Sequence, residues 1–350
     1  MESIPVPGGT VRCRVVCRGT PTACGEQYGE AAREWIRREA ENFASPGGAD
    51  EAARRFAARA ERSLETFAPE VLEELRGIAR GSGVPMGTLL AMNVWESVGR
   101  DDPTDRCTTF LLGHSDRGTV VAKNNDGAEC ERERCPFLLR EVRPDRGIPF
   151  VQVTYAGWLS GLDMMNAEGL ANTHGSVGSV FPRDGMRLDI RLQCYRLMRE
   201  CRTVEEFRRR LPEVPLTGKG FTIAVADPTG DNAIIEAAVP KVVTRSRRVG
   251  FGFAANLYDA PELDGCDART PEGRLLNRRR REFLEKVSPP RTVEELKALM
   301  ATHGAAAPCR HGGENVSTTF WSMIALPEER RLLLAPEAPC RCGYVEIELR

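Results

Sequence analysis

Two short apolar runs limit most what this chain can fold into. Cys107-Thr108-Thr109-Phe110-Leu111-Leu112 and Val120-Val121-Ala122-Lys123-Asn124-Asn125-Asp126-Gly127 are both rich in β-branched and apolar residues. The segment between them, His114-Ser115-Asp116-Arg117-Gly118, has the composition of a hairpin loop. A hairpin folds its two ends together, so the thiol that opens the first strand is expected near Asp126, which closes the second. Taken alone, a cysteine in an apolar strand is ordinarily a small core residue. Asp126-Gly127 is likewise an ordinary turn pair.

The chain changes character just before this hairpin. Residues 10–18 alternate as a strand, and helical patterns follow over 24–42, 49–67, 69–80 and 85–98, with Gly81-Ser82-Gly83 as a stop. After the charged turn Arg100-Asp101-Asp102-Pro103, strands dominate. They are expected over 149–155, 220–226 with 232–239, 249–254, and 317–326 with 330–335. Helices return at 185–201 and 203–211, and again at 271–287 and 292–303. Thr203 with Glu206 and Thr292 with Glu295 have the spacing of a capping box. Runs of helices and runs of strands, rather than strict alternation, predict a layered α+β fold.

Composition excludes several function classes. The hydrophobic fraction of 41% and charged fraction of 28% suit a soluble globular chain. A net charge of −1 gives no general attraction to nucleic acid or anionic membrane. The one basic run, Arg278-Arg279-Arg280-Arg281, lies in a helical pattern with Glu272, Glu282 and Glu285 and is expected to be a solvated face. Met1-Glu2-Ser3-Ile4-Pro5 has neither the basic nor the apolar region of a signal peptide, and no stretch is apolar for long enough to span a bilayer. Twelve cysteines show no small disulfide framework, so a reducing, cytoplasmic location is expected, with most of them as core residues. Cys309, His311, Cys340 and Cys342 invite a zinc reading. Their Cys-x-His and Cys-x-Cys spacings are tighter than a structural knuckle, and the expectation is no metal and no cofactor.

Cys107-Thr108-Thr109 followed one hairpin later by Asn124-Asn125-Asp126 resembles the isopenicillin-N acyltransferase family of autoproteolytic N-terminal-nucleophile (Ntn) hydrolases, related to the choloylglycine hydrolases. The resemblance extends to Arg18-Gly19-Thr20-Pro21 with Gly25-Glu26-Gln27-Tyr28-Gly29, and to Leu75-Arg76-Gly77-Ile78-Ala79-Arg80-Gly81-Ser82-Gly83-Val84 with Leu90-Ala91-Met92-Asn93. Asn166-Ala167-Glu168-Gly169-Leu170, Asn256 and Cys309-Arg310-His311 follow in the same order. It implies a four-layer αββα sandwich of two antiparallel sheets between helical layers. It also implies self-cleavage at Arg106–Cys107, although Arg106 stands where small residues are common in the family. Residues 1–106 would then be a helical propeptide or α-subunit segment packed on the same fold. Residues 107–350 would be the catalytic β-subunit segment, and the two fragments would stay associated.

The same resemblance implies roles. Cys107 is the nucleophile, and its freed α-amine, titrating near ~7.7–8, is the base for a thiol of pKa about 8.5. Asp126 orients the α-ammonium or a substrate amide, and Asn256 donates to the oxyanion. Lys123 stands where bile-salt-hydrolase-like relatives carry an Arg, and its charge is expected to depress the thiol pKa. Arg310 is expected near Asp126 or a substrate carboxylate. Asn172 and His174 compete for a further oxyanion contact, and Trp158, in a glycine-flanked loop, is a candidate pocket wall.

The sequence therefore points to a cysteine amidohydrolase or acyltransferase. It would act on a small-molecule amide or acyl-thioester, with no nucleic-acid or membrane partner; assembly into a homo-oligomer is left open. Two alternatives stand beside it: a CoA- or carrier-protein-dependent N-acyltransferase of secondary metabolism, and an uncleaved, non-enzymatic binding protein of the same fold.

Overall fold

The structure, a computed structural model, describes residues 1–6, 9–41, 43, 51–94, 107–129, 137–312 and 317–349. The chain begins with β1 (Glu2–Val6) and β2 (Gly9–Gly19) and continues through helices α1 (Pro21–Ala31), α2 (Arg33–Glu41), α3 (Glu51–Phe67), α4 (Pro69–Ser82) and α5 (Met86–Asn93). Strands β3 (Thr108–Ser115), β4 (Gly118–Gly127), β5 (Phe137–Pro144), β6 (Phe150–Tyr155), β7 (Met164–Asn166), β8 (Ala171–Val177) and the short β9 (Leu188–Asp189) follow. Next come α6 (Ile190–Glu200), α7 (Val204–Arg210), β10 (Leu216–Thr217), β11 (Gly220–Ala226), β12 (Asn232–Ala238), β13 (Lys241–Arg247) and β14 (Phe251–Ala254). Then α8 (Pro271–Glu285) and α9 (Val293–Met300) precede β15 (Thr318–Leu326), β16 (Arg331–Ala335) and β17 (Val345–Glu348).

The fold is α+β, and beside a short parallel β9–β10 pair its strands form two large sheets. One has nine strands in the order β1-β2-β5-β6-β7-β8-β11-β12-β13, and the other has six in the order β14-β3-β4-β15-β16-β17. The buried apolar residues show how they stack. Leu111, Val121, Val153, Met165, Ala224 and Met323, drawn from both sheets, share one core. The opposite face of the nine-stranded sheet packs through Phe150, Ile223 and Ile235 on Leu64, Leu75, Leu89 and Leu197 of the helices. Phe110, Ala122 and Ile324 of the six-stranded sheet pack on Leu284, Leu296 and Met300 of α8 and α9. Alternation along each strand serves both cores at once, which gives the expected order helix, sheet, sheet, helix. Among the described residues, no helix is long and apolar enough to cross a membrane.

Residues 1–94 do not make a separate body. β2 pairs in parallel with β5, Arg14 opposite Leu139, so the first segment supplies two strands to the nine-stranded sheet. Helix α4 is tied to the same sheet by a fully buried group: Glu74 Oε1 accepts from Arg140 at 2.6 Å and from the Tyr195 hydroxyl at 3.0 Å. α1 and α4 cross at glycines. A Cβ on Gly25 would lie 2.1 Å from the Glu74 carbonyl oxygen, and one on Gly77 would lie 2.3 Å from that of Thr22. Gly29 and Gly81, one turn further along each helix, are equally closed to a side chain. The backbones meet, which is why this glycine spacing recurs in both segments.

Several expected elements differ in extent. The pattern over 24–42 resolves into α1 and α2, broken at Ala32, and α1 starts at Pro21 because the Thr20 hydroxyl caps Ala23 N at 3.2 Å. The helix expected from 185 begins at Ile190, where the Asp189 side chain accepts from Arg191 N. Thr203 and Thr292 do cap their helices, accepting from Glu206 N and Glu295 N. The second half of the helix expected over 85–98 lies outside the described residues beyond Val94. Strands β1, β5, β7, β8, β9, β10, β13 and β17 go beyond the expected set. β8, Ala-Asn-Thr-His-Gly-Ser-Val, has weak strand propensity, and only its buried place between β7 and β11 makes it one.

Candidate active site

Register builds the site. β3 and β4 pair with Thr109 opposite Lys123, and β14 flanks β3 with Ala254 opposite Thr109. Carried on by two residues, the β3–β4 register sets Cys107 against Asn125, and Asn256 lies two residues beyond the end of β14. Leu111 and Val121 face the core between the sheets, so Cys107, Thr109, Lys123 and Asn125 lie on that same side.

Cys107 is buried at 4% exposure, with Sγ 3.6 Å from Asn125 Oδ1 and 3.9 Å from the Asp126 carbonyl oxygen. Asn125 is oriented in turn, its Nδ2 donating to the Tyr155 hydroxyl at 2.7 Å. Burial pushes the thiol above its ordinary value. Lys123 pulls it down and Asp126 pushes it up, but burial is the largest effect. The expected depression of the thiol by Lys123 is therefore outweighed, and Cys107 rests as a neutral thiol.

Asp126 is held at two points: Oδ1 accepts from the Thr319 hydroxyl at 2.7 Å, and Oδ2 lies 3.4 Å from Arg310 Nε. Burial raises its carboxyl to about 6 despite the opposing charge of Arg310. Arg310 is itself buried, and its backbone joins the start of β15. Arg310 N donates to Thr319 Oγ1 at 3.0 Å, and Thr319 N donates to the Arg310 carbonyl at 3.0 Å. The strands thus bring Cys107, Asp126 and Arg310 together, while Arg106 lies outside the described residues.

Asn256 is buried and takes a left-handed backbone, φ 55°. Its Nδ2 donates to the Ser176 carbonyl at 2.6 Å, and its Oδ1 accepts from Arg280. Arg280 corrects the expectation of a solvated basic face. Asn277, Arg280 and Leu284 form the buried stripe of α8, leaving Arg278 and Arg279 exposed.

Lys123 is fully buried and its Nζ pairs with Asp163 Oδ2 at 2.8 Å. The same ammonium lies 3.2 Å from His174 Nδ1, which is 3.1 Å from Asp163 Oδ1. Burial holds His174 below its ordinary value and keeps it neutral. Burial works against the Asp163 carboxylate too, but His174 and Lys123 together keep its carboxyl below the usual range. With His174 neutral, Lys123 is the cation that matters. His174 therefore belongs to an ion-pair group rather than to an oxyanion site. Asn172 is held by bonds of its own: its Oδ1 accepts from Met164 N at 3.2 Å and its Nδ2 donates to the Gly161 carbonyl at 2.8 Å. Trp158 lies against Phe43 and Tyr155 and donates to Glu39 Oε1 at 3.2 Å. Tyr155 separates it from Asn125.

Asn125, Thr319, Arg280 and Asp163 join the site without being among the residues singled out from the sequence. The hairpin register signals Asn125, whereas Arg280, one of four consecutive arginines, carries no signal of burial. Asp163, a lone carboxylate in a loop at φ 67°, carries no local signal. Away from Cys107, the weighed metal group does assemble in part. Cys309, His311 and Cys340 meet, and their fourth neighbour is His303 rather than Cys342.

No family model matches the chain, and no curated protein matches its sequence. Among solved structures it is similar to a mutant of the conjugated bile acid hydrolase from Clostridium perfringens, at 11% identity over 69% of this chain and 92% of that one, TM-score 0.45. It is also similar to penicillin V acylase from Agrobacterium tumefaciens, at 15% identity over 66% and 83%, TM-score 0.39. A third is the Caenorhabditis elegans ortholog of N-acylethanolamine-hydrolyzing acid amidase, at 12% identity over 63% and 93%, TM-score 0.41.

Proposed function

We propose that this chain is the precursor of a cysteine Ntn amidohydrolase or acyltransferase in which Cys107 is first the agent of self-cleavage and then the catalytic nucleophile. The observation that carries the reading is the environment of Cys107. It is a buried thiol one residue before a strand, with an oriented asparagine at 3.6 Å and, on the neighbouring strand, Asp126 paired with Arg310 from the segment before β15.

A thiol raised by burial is a poor nucleophile until a base takes its proton. Cutting the Arg106–Cys107 bond supplies that base. Sγ attacks the Arg106 carbonyl carbon, the C–N bond breaks, and the Cys107 nitrogen leaves as an amine carrying the thiol proton. Water then hydrolyses the thioester, giving a carboxylate on Arg106 and a free thiol and α-amine on Cys107. The α-amine accepts the thiol proton during attack on a substrate carbonyl and returns it to the leaving amine. Asp126, mostly ionised at neutral pH with its carboxyl at about 6, orients the resulting ammonium. One Asn256 Nδ2 hydrogen is taken by Ser176, and the other is left for the oxyanion.

Cleavage at this bond would not release the first segment. The β2–β5 pairing and the buried Glu74–Arg140 pair both cross it, which supports fragments that stay associated. The test is hydrolysis of a panel of N-acyl amides by the wild-type protein and by Cys107→Ala. Release of amine with a covalent acyl group on Cys107 is expected, and equal turnover by Cys107→Ala would overturn the reading.

A further inference from the structure

The loop after α9 and the turn before β17 bring four soft donors together. Cys309 Sγ lies 3.5 Å from Cys340 Sγ and 3.6 Å from His311 Nε2. His311 Nε2 lies 3.1 Å from Cys340 Sγ and 3.3 Å from His303 Nε2, and all four atoms fall within 4.8 Å of one another. A tetrahedral zinc ion with Zn–S of about 2.3 Å and Zn–N of about 2.0–2.1 Å requires S–S, S–N and N–N edges of about 3.8, 3.5 and 3.3 Å. The four separations given individually lie within about 0.4 Å of these edges, and the two from His303 to the sulfurs fall within 4.8 Å, so a small shift of the exposed His303 side chain closes the tetrahedron. The two sulfurs are too far apart for a disulfide, whose S–S bond is about 2.05 Å.

We propose that His303, Cys309, His311 and Cys340 form a structural zinc site. Two thiolates and two neutral imidazoles balance the charge of the divalent ion, and binding releases the two thiol protons. The donor set is the soft, tetrahedral S2N2 kind that selects zinc over hard cations. With four protein ligands the coordination is closed, so the ion ties segments together and leaves no position for a reacting water.

The tight Cys-x-His spacing has a local cause. Arg310 and His311 lie along the start of β15: Thr319 N donates to the Arg310 carbonyl at 3.0 Å, His311 is bridged to Thr318, and Gly312 N donates to the Ser317 carbonyl at 3.0 Å. Cys309 Sγ and His311 Nε2 meet at 3.6 Å, while Arg310 between them turns its Nε to within 3.4 Å of Asp126 Oδ2. His303 is brought round by the loop that Cys309 N closes on the Thr302 carbonyl at 3.1 Å. Asn124 pins both ends of this loop, its Nδ2 donating to the Met300 carbonyl at 2.8 Å and to that of Pro308 at 3.0 Å. Cys340 comes from the connection between β16 and β17. One ion would thus clamp three segments around the residue that contacts Asp126.

The proposal stands apart from the acyl chemistry and is tested on the full chain, purified without an affinity tag or chelator. Elemental analysis should find about one zinc per chain, unchanged in Cys107→Ala and in Cys342→Ser. Cys340→Ser and His303→Ala, both at exposed positions, should lose at least fivefold of the metal. Cobalt substituted for zinc should show the visible bands of tetrahedral thiolate coordination. A folded wild-type chain with less than a fifth of an equivalent of zinc would overturn the proposal, as would full retention in Cys340→Ser. If those variants are insoluble, X-ray absorption on the wild type decides. Two sulfur and two nitrogen neighbours support the site, and a shell of oxygen and nitrogen alone overturns it.

Discussion

The pairing of Lys123 with Asp163 makes a prediction whose size follows from burial. The two charged side chains are 0% and 4% exposed and 2.8 Å apart, so neither can turn to water if the other is removed. Lys123→Met, made in the Cys107→Ala background to keep the chain whole, leaves a carboxylate in the core. Breaking a buried pair from one side costs about 3–5 kcal/mol. With an unfolding entropy of about 2.1 cal/mol/K per residue, that loss lowers Tm of a 350-residue chain by about 4–7 °C. Adding Asp163→Asn removes the orphaned charge while keeping a residue that tolerates φ 67°, and should bring stability back to within about 1 kcal/mol.

His174 adds a pH signature. In the parent its folded value is depressed, so stability is present above the ordinary 6.5 and falls as pH drops below it. Without the Lys123 charge, Asp163 should raise His174 instead. Stability in Lys123→Met should then be larger at low pH and be lost as pH rises through the new value. Thermal unfolding at pH 6 and pH 8 reads both slopes. A Lys123→Met chain within about 1 kcal/mol of its parent at pH 8 would refute the reasoning, as would parallel pH slopes.

Other consequences can be checked alongside. Self-cleavage should need the ionised form of Asp126, whose carboxyl titrates at about 6 in the uncut chain. Cleavage timed by gel should be about tenfold slower at pH 5 than at pH 7, and Asp126→Asn should be slow and flat across that window. Asn256→Gly keeps the positive φ but removes the amide, and kcat/KM on an N-acyl amide should fall by about 10²–10³; an unchanged value excludes the oxyanion role. Gly77→Ala, whose Cβ would meet the Thr22 carbonyl at 2.3 Å, should cost about 3 kcal/mol in denaturant unfolding. Gly87→Ala, with its nearest neighbour at 3.9 Å, should cost nothing measurable.

The legible parts of the sequence are those where local chemistry and tertiary packing agree. The Cys107–Gly127 hairpin, the Thr203 and Thr292 caps and the β15–β16 hairpin all carry their own signals, and the helix-then-strand layout gives the α+β class. β8 and β5 are not legible, because their strand character comes from neighbours. Arg140 sits in β5 as a buried cation only because Glu74, 66 residues away in sequence, meets it there. Asp163 and His174 are unreadable as partners of Lys123 for the same reason. The cluster of His303, Cys309, His311 and Cys340 is illegible on the same ground, since Cys340 comes from 31 residues beyond Cys309 and the zinc reading of the sequence does not include His303. Arg280 hides among four consecutive arginines, and the buried stripe it belongs to, with Asn277 and Leu284, is too polar to show in the sequence.

The most direct test of the central claim is the mass of the purified wild-type protein on denaturing liquid chromatography. The account predicts two co-purifying polypeptides: one ending at Arg106 and one of 244 residues (350 − 106) with Cys107 at its amino terminus. Cys107→Ala should give one uncut chain. A wild-type preparation that hydrolyses amides while the Arg106–Cys107 bond remains intact would contradict it.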